Sequence, residues 1–359
     1  MPVTIEHDLE QIQKPVFQVF WGGPDKPPRS LRDLLEKRIE AVPGGGEILW
    51  ATYYFRDEGL ANALLRASSR GVRVQVAIEG NPRTGAVNKE VRKLLESGGT
   101  PGRVVRSISH RMIDNWYLRS CRLHEKLYYF SHPSPCALVG TFNPSGNQPE
   151  DPDVISKIGD QDRGHNVLVE LYDPVLVQGM RDHAERMLHM VHGPWERYLQ
   201  QHNKIISSGT TRIIFFPRSS NQDLNELFDL SGKGNRLRMA VSHLNDKRVC
   251  KRIAALARQG VQAEILAHDT QRRVPSWVEK EMLQSGVTFN RYVHPEGLPM
   301  HNKFMLIETP ERRILTFGSM NLSVRSLHAN HELLVIDENP ELYQIFQSRW
   351  VEMMRELNS

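Results

Sequence analysis

The sequence predicts an α/β fold built twice over. Three observations carry that expectation. Strand-like and helix-like patterns alternate along the chain, which is the signature of βαβ units. A strand–helix–strand segment of the first half recurs in the second at an offset of 189 residues. A His-x-Lys pair followed by an apolar run and a glycine turn occurs once in each half.

The elements follow in order. Residues 1–14 are polar and read as a loose arm. Val16–Phe20 reads as a strand, and Leu31–Ala41 as an amphipathic helix stopped by Pro43 and the triple-glycine turn after it. Ile48–Phe55 is rich in β-branched and aromatic residues and reads as a strand. Asp57 occupies an N-cap position, opening a helix through Ser69 that Gly71 ends. Val72–Ile78 is the next strand. This alternation argues for a largely parallel sheet covered by helices.

The second half repeats the first. Asp57 and Gly71 correspond to Asp246 and Gly260, and the apolar positions Leu60, Leu64 and Val76 correspond to Val249, Ile253 and Ile265, all at offset 189. The His-x-Lys pairs are offset by 177, and the tails beginning at His165 and His331 by 166. Each tail leads into a helix, from Val175 to about Gln200 and from Glu341 to about Leu357. A period this long is a duplication and not a solenoid. The boundary is expected in the polar stretch 203–210, before a strand Arg212–Phe216, giving halves of residues 1–203 and 204–359.

The shrinking offset locates insertions. The first half carries 12 extra residues between Gly71 and His124, around Arg103–Cys121. There Arg103, Arg106, Arg111, Arg119 and Arg122 interleave with Met112, Ile113, Trp116, Tyr117 and Leu118. Such a segment suits a flap over a site, with Arg111, Trp116 and Tyr117 as its substrate-facing candidates. It also suits an interfacial membrane contact, or stacking on single-stranded nucleic acid. The competing reading is ordinary packing on the core. A second polar excursion runs from Pro144 to Gly164. Long loops inside compact domains often carry function.

Composition limits the classes. With 39% hydrophobic and 25% charged residues the chain can build a sizeable core. No apolar run approaches the roughly 18 residues of a membrane span. The opening residues lack a basic region followed by an apolar one, so the cytosol is the expected compartment, with peripheral membrane contact allowed. Cys121, Cys136 and Cys250 are too few and scattered for a disulfide framework or a zinc site. The net charge of +4 permits nucleic acid or an anionic lipid surface and selects neither.

The chemistry lies in the twin motifs. The first reads His124-Glu-Lys126, then Gly140-Thr141-Phe-Asn143; the second reads His301-Asn-Lys303, then Gly318-Ser319-Met-Asn321. Residues i and i+2 of a strand share a face, so each His and Lys project together. If the halves pack about a pseudo-twofold axis, two imidazoles and two ammonium groups converge. Asn143, Asn321, Thr141 and Ser319 add neutral donors. That set suits a phosphodiester. Cations and amides hold the non-bridging oxygens, one neutral imidazole attacks phosphorus, and the other, protonated, supplies the leaving oxygen with a proton. No residues have metal-ligand spacing, and no cofactor is implied.

On these residues the chain resembles the phospholipase D superfamily, whose signature is a doubled H-x-K-x4-D followed by a glycine–serine/threonine turn bearing asparagine. The resemblance spans most of the chain. It implies two α/β/α subdomains with mixed sheets, related by a pseudo-twofold, with the site at their junction. It implies a phosphohistidine resolved by water or an alcohol, with His124 as nucleophile and His301 as general acid and then base. The signature aspartate is absent from both copies, replaced by Ser131 and Glu308. The family's acid that steadies a histidine tautomer matches Glu332, and its counterpart in the first half is Asn166. His110, His165, His328 and His331 read as structural or surface residues. The aromatic insert and the pairing of both motifs in one chain favour a phospholipid, hydrolysed or given a new headgroup. The alternatives are a nuclease and a catalytically silent binding module. Oligomeric state is open, and a monomer is compatible.

Overall fold

A computed structural model describes residues 16–84, 87–97, 104–108, 122–146, 151–189, 203–218, 222–229 and 234–357. In the first half the elements are β1 (Phe17–Gly22), α1 (Ser30–Glu40), β2 (Glu47–Thr52), α2 (Glu58–Ser69), β3 (Arg73–Glu79), α3 (Lys89–Glu96), β4 (Val104–Ile108), β5 (Lys126–Phe130), β6 (Cys136–Gly140), α4 (Pro152–Ile158), β7 (Asn166–Leu171) and α5 (Pro174–His189). In the second they are β8 (Ile206–Ser208), β9 (Thr211–Phe216), α6 (Gln222–Leu227), β10 (Arg236–Val241), α7 (Lys247–Arg258), β11 (Gln262–His268), α8 (Ser276–Gln284), β12 (Thr288–Tyr292), β13 (Lys303–Glu308), β14 (Arg313–Gly318), α9 (Val324–His328), β15 (Glu332–Asp337) and α10 (Pro340–Glu356).

The duplication read from the offsets is the architecture. One sheet has the order β4-β3-β2-β5-β6-β7-β1, and the other the order β12-β11-β10-β13-β14-β15-β9-β8, the same series with one added edge strand. Neither sheet is largely parallel, so that expectation is corrected. Only the β2-β3-β4 and β10-β11-β12 runs are parallel, each joined by a helix. The other pairings of each sheet, β2–β5–β6–β7–β1 and β10–β13–β14–β15–β9–β8, are antiparallel. The mixed sheets implied by the family resemblance are therefore present.

Strand alternation distributes side chains between layers. In β2, Leu49 and Ala51 face inward, while Ile48 and Trp50 face α1 and α2. In β13, Phe304 and Leu306 face inward, while Met305 and Ile307 pack with α7 and α8. The inner faces share one core with the long helices α5 and α10, through Met180, Met187, Phe346 and Trp350. The stack is thus helices, sheet, two central helices, sheet, helices. Among the described residues no helix is long and apolar enough to cross a membrane.

The polar excursion after Asn143 contains α4, whose N-cap Asp151 accepts from Asp153 N at 2.9 Å. Of the basic–aromatic insert, β4 extends the first sheet, and residues 109–121 lie outside the described residues. Cys136 and Cys250 are free and buried.

The repeated N-caps behave as read. Asp57 accepts from Leu60 N at 2.7 Å, and Asp246 accepts from Arg248 N and Val249 N at 2.9 and 3.1 Å. Asp57 also receives Arg32 Nε at 3.4 Å in a buried setting. Asp246→Ala should therefore cost about 1 kcal/mol of unfolding free energy. Asp57→Ala should cost more, about 2 kcal/mol, because it also removes a buried partner of Arg32. Equilibrium urea unfolding of both variants checks the order, and equal or reversed losses would contradict it.

Candidate active site

His124 lies just before β5 and His301 just before β13. These strands run antiparallel to β2 and β10, so both histidines sit at the carboxyl ends of the parallel strands. Loops after β2, β3, β10 and β11 surround them, the usual place for a ligand in an open α/β sheet. Backbone hydrogen bonds tie each histidine to the opposite half. His124 N donates to His331 O at 2.9 Å, and His331 N donates to Arg122 O at 2.8 Å. The mirror pair is His301 N to His165 O at 3.1 Å and His165 N to Pro299 O at 3.0 Å. His165 and His331 thus join the halves through their main chains, in keeping with a structural role.

The side chains cross the same axis. His124 Nδ1 donates to Glu332 Oε2 at 2.9 Å, and His301 Nδ1 donates to Asn166 Oδ1 at 2.8 Å. A carboxylate only accepts, so it fixes the proton of His124 on Nδ1 and leaves Nε2 with its lone pair toward the cleft. Asn166 does the same for His301. Its Nδ2 donates to Gln161 O at 2.8 Å, which turns Oδ1 toward the imidazole.

Thr141 and Ser319 sit one layer beneath the cleft, where the sequence reading made them phosphate donors. Thr141 Oγ1 donates to Asn166 Oδ1 at 3.0 Å, and Ser319 Oγ donates to Glu332 Oε2 at 2.6 Å. Each hydroxyl also accepts from the next strand, from Val167 N at 3.0 Å and from Leu333 N at 3.1 Å. They therefore hold the groups that hold the histidines. The glycine before each has a physical cause. A Cβ on Gly140 or Gly318 would collide with the carbonyl of Val167 or Leu333 on the adjacent strand.

Lys126 and Lys303 are buried beneath the histidines, and each Nζ donates to the carbonyl of its own histidine, at 2.6 and 2.7 Å. An ammonium has three donors, so further protons remain for an oxyanion. Burial pushes Lys126 down to about 7, although Glu332 and Glu125 oppose it. Burial pushes Lys303 well below its ordinary value, with Lys126 and Arg273 adding to the effect. Burial also lowers His124 to about 4 against the pull of Glu332, and His301 falls well below the usual imidazole range for the same first cause. Both imidazoles are therefore neutral at neutral pH.

The cleft above them has a volume of about 600 Å³. His124, His301, Asn143 and Asn321 line it. Asn143 Oδ1 accepts from Tyr54 N at 3.3 Å, and Asn321 Oδ1 lies 3.2 Å from His243 Nδ1. Tyr54 and His243 are equivalents at offset 189. The rest of the lining includes Arg83, Arg122, Lys157, Arg272, Arg273 and Arg325, and no carboxylate among the described residues. Tyr53 packs its ring 4.8 Å from that of His124, and its hydroxyl accepts from Arg122 Nη1 at 3.1 Å.

The structure thus brings together His124, His301, Lys126, Lys303, Asn143, Asn321 and Glu332. Arg111, Trp116 and Tyr117 lie outside the described residues. Ser131 and Glu308, at the missing signature aspartates, stand at the far ends of β5 and β13, about 17 Å along the strand from the lysines. Ser131 Oγ accepts from Glu47 N at 2.7 Å, and Glu308 pairs with Arg313 at 3.7 Å. Both do local work, so the missing aspartates leave the cleft untouched. Sequence reasoning placed Arg122 in the basic insert but missed Tyr53, His243, Arg83, Arg272, Arg273 and Arg325. The repeat offset carried the signal for one pair, since Arg83 and Arg272 are equivalents at 189.

A family model described as "Cardiolipin synthase, PLD-like domain" matches residues 45–188 and again residues 229–354. By sequence no curated protein matches the chain. Among solved structures, the chain is similar to phosphatidylserine synthase from Haemophilus influenzae Rd KW20, with a TM-score of 0.67 at 14% identity over 95% of this chain and 86% of that one. It is also similar to polyphosphate kinase from Porphyromonas gingivalis, with a TM-score of 0.63 at 14% identity over 94% of this chain. It spans 47% of that kinase's length. At these identities the likeness is one of fold.

The His124–Glu332 pair yields a direct test. In histidine-labelled protein followed by NMR, His124 should titrate at about 4. Glu332→Gln removes a charge that raises this value, so the midpoint should drop further. A midpoint above the ordinary 6.5 in wild type, or a rise in the variant, would refute the assignment.

Proposed function

The chain belongs to the cardiolipin synthase, phospholipase D-like domain family, and from that membership and the geometry of the cleft we propose that it hydrolyses or transfers phosphodiesters through a phosphohistidine on His124. The observation that carries the reading is the crossed pair His124–Glu332 and His301–Asn166. It presents two imidazoles, each with Nε2 free, to one cleft backed by two lysines and two asparagines. The positive charge comes from side chains, so the reaction should proceed in EDTA.

In the first step His124 Nε2 attacks phosphorus and forms the N–P bond. The P–O bond to the leaving group breaks, and His301 Nε2–H gives that oxygen its proton. In the second step water or an alcohol delivers its proton to His301 Nε2. Its oxygen bonds to phosphorus, the N–P bond breaks, and His124 is restored. Lys126, Lys303, Asn143 and Asn321 hold the non-bridging oxygens as charge builds on them. His301 must be protonated to begin. The anionic phosphate supplies that condition, because a nearby negative charge raises the depressed imidazole and ammonium values again.

The unequal partners support the order of roles. Positive charge develops on the attacking imidazole, and the Glu332 carboxylate stabilises it. Neutral Asn166 fixes the tautomer of His301 without holding its proton, which suits a donor.

For substrate we favour a phospholipid, supported by the description of the matching family model. A second reading, a nucleic acid, is supported by the carboxylate-free cationic lining. The halves would act as the units 1–203 and 204–359.

Turnover of phosphatidylglycerol vesicles and nicking of plasmid DNA, both in EDTA, separate these readings. Vesicle hydrolysis alone supports the phospholipid. DNA cleavage alone replaces it with the second reading. Silence toward both from folded protein favours a binding module. Labelled phosphate should be trapped on wild type and absent from His124→Asn, with activity lowered at least about a thousandfold. His301→Asn should lose far less on a substrate with a p-nitrophenol leaving group, which needs no proton. Label retained in His124→Asn would overturn the nucleophile assignment.

A further inference from the structure

Arg273 is a buried cation with no carboxylate in direct contact among the described residues. It lies in the loop between β11 and α8, lines the cleft, and is 7% exposed. Nη1 donates to Ser242 Oγ at 3.3 Å, and Nη2 donates across the junction to Ile158 O at 3.1 Å. Nε is buried with no hydrogen-bond partner. A guanidinium has five N–H donors, so these contacts leave most of it unused. Among the described residues no carboxylate lies within 4.0 Å of it. Asp269 of the same loop lies beyond that range and offsets only part of the cost of burying the guanidinium. A buried charge without a contacting counter-charge is costly, and an anion entering from the cleft would lower that cost.

Its position is tied to the reacting centre. Ser242 Oγ lies 3.2 Å from His243 Nδ1, which lies 3.2 Å from Asn321 Oδ1. A short hydrogen-bonded run therefore connects Arg273 to the catalytic turn of the second half. Lys157 and Arg272 stand exposed beside it on the rim. The fold does not demand this arginine, since the equivalent position at offset 189 is Thr84. The subsite therefore exists on one side of the cleft.

We propose that Arg273, with Lys157 and Arg272, forms a second anion subsite that takes a further phosphate carried by the substrate or acceptor next to the reacting one. This rests on the phosphodiester reading of the cleft and narrows it. The preferred molecule holds two neighbouring phosphates, of which one meets the histidines and the other meets Arg273.

The test is calorimetric titration of wild type, Arg273→Gln and Arg273→Lys with orthophosphate and with pyrophosphate, in EDTA at low salt. Wild type should bind pyrophosphate about tenfold more tightly than orthophosphate. Arg273→Gln should lose about that factor for pyrophosphate and less than about threefold for orthophosphate. Arg273→Lys, which keeps the charge, should retain part of the preference. Equal losses for both anions would mean that Arg273 is only a strut to Ile158, and would overturn the proposal. No preference in wild type would overturn it as well. The titration needs no turnover. Binding in the expected pattern without labelled histidine keeps the subsite and sinks the phosphohistidine reading. Labelled histidine with equal losses does the reverse.

Discussion

Everything in the cleft depends on an exchange of partners across the pseudo-twofold. His124 belongs to the first half and is oriented by Glu332 of the second; His301 belongs to the second and is oriented by Asn166 of the first. The main chain repeats the exchange, with His331 and His165 each accepting from the histidine of the opposite half. Neither half could fix its own imidazole tautomer alone. The docking of the two sheets around α5 and α10 is thus a condition of the site as well as of stability. That accounts for a central core drawn from both halves.

The second constraint is charge. Lys126, Lys303 and Arg273 are buried together, and burial lowers all three from their ordinary values. For Lys126, Glu332 offsets part of this and Glu125 a smaller part. An anion on the cleft floor would restore the lost protonation of lysines and imidazoles together. Binding and acid–base readiness are then one event. On the proposed mechanism, the proton that His301 needs would become stable on it only with a phosphate bound, so the site alone would not carry full charge in a low-dielectric setting.

Much of this was legible in the chain. The offsets displayed the duplication, the caps Asp57 and Asp246 and the twin motifs, because local chemistry writes these into short spacings. The sheet direction was not legible beyond β3, since a strand's apolar pattern does not say which neighbour it pairs with. The roles of Thr141 and Ser319 were misplaced for a related reason. A hydroxyl beside a reactive turn looks the same in sequence whether it faces a ligand or a carboxylate, and only the register of β7 against β6 and of β15 against β14 decides. Arg273 was invisible because its partners Ser242 and Ile158 come from separate elements. Arg83 and Arg272 could have been found by extending the 189-residue alignment a few residues further.

Where the halves agree and where they differ has a pattern. The groups that would meet a reacting phosphate are equal in kind: histidine, lysine and asparagine in each copy. The differences lie in the shell behind and beside them. Glu332 stands against Asn166, and Tyr54 against His243. Glu125, bonded to His183 at 2.9 Å, stands against Asn302, whose amide donates to Met353 Sδ at 3.7 Å. Arg273 stands against Thr84. The negative charge falls behind His124 and Lys126, and the extra positive charge falls on the side of His243 and Asn321. A symmetric transition state needs equal contacts, whereas a directional reaction needs one histidine that bears positive charge and one that gives up a proton. On the proposed mechanism, the inner contacts would meet the first need and the unequal outer shell the second.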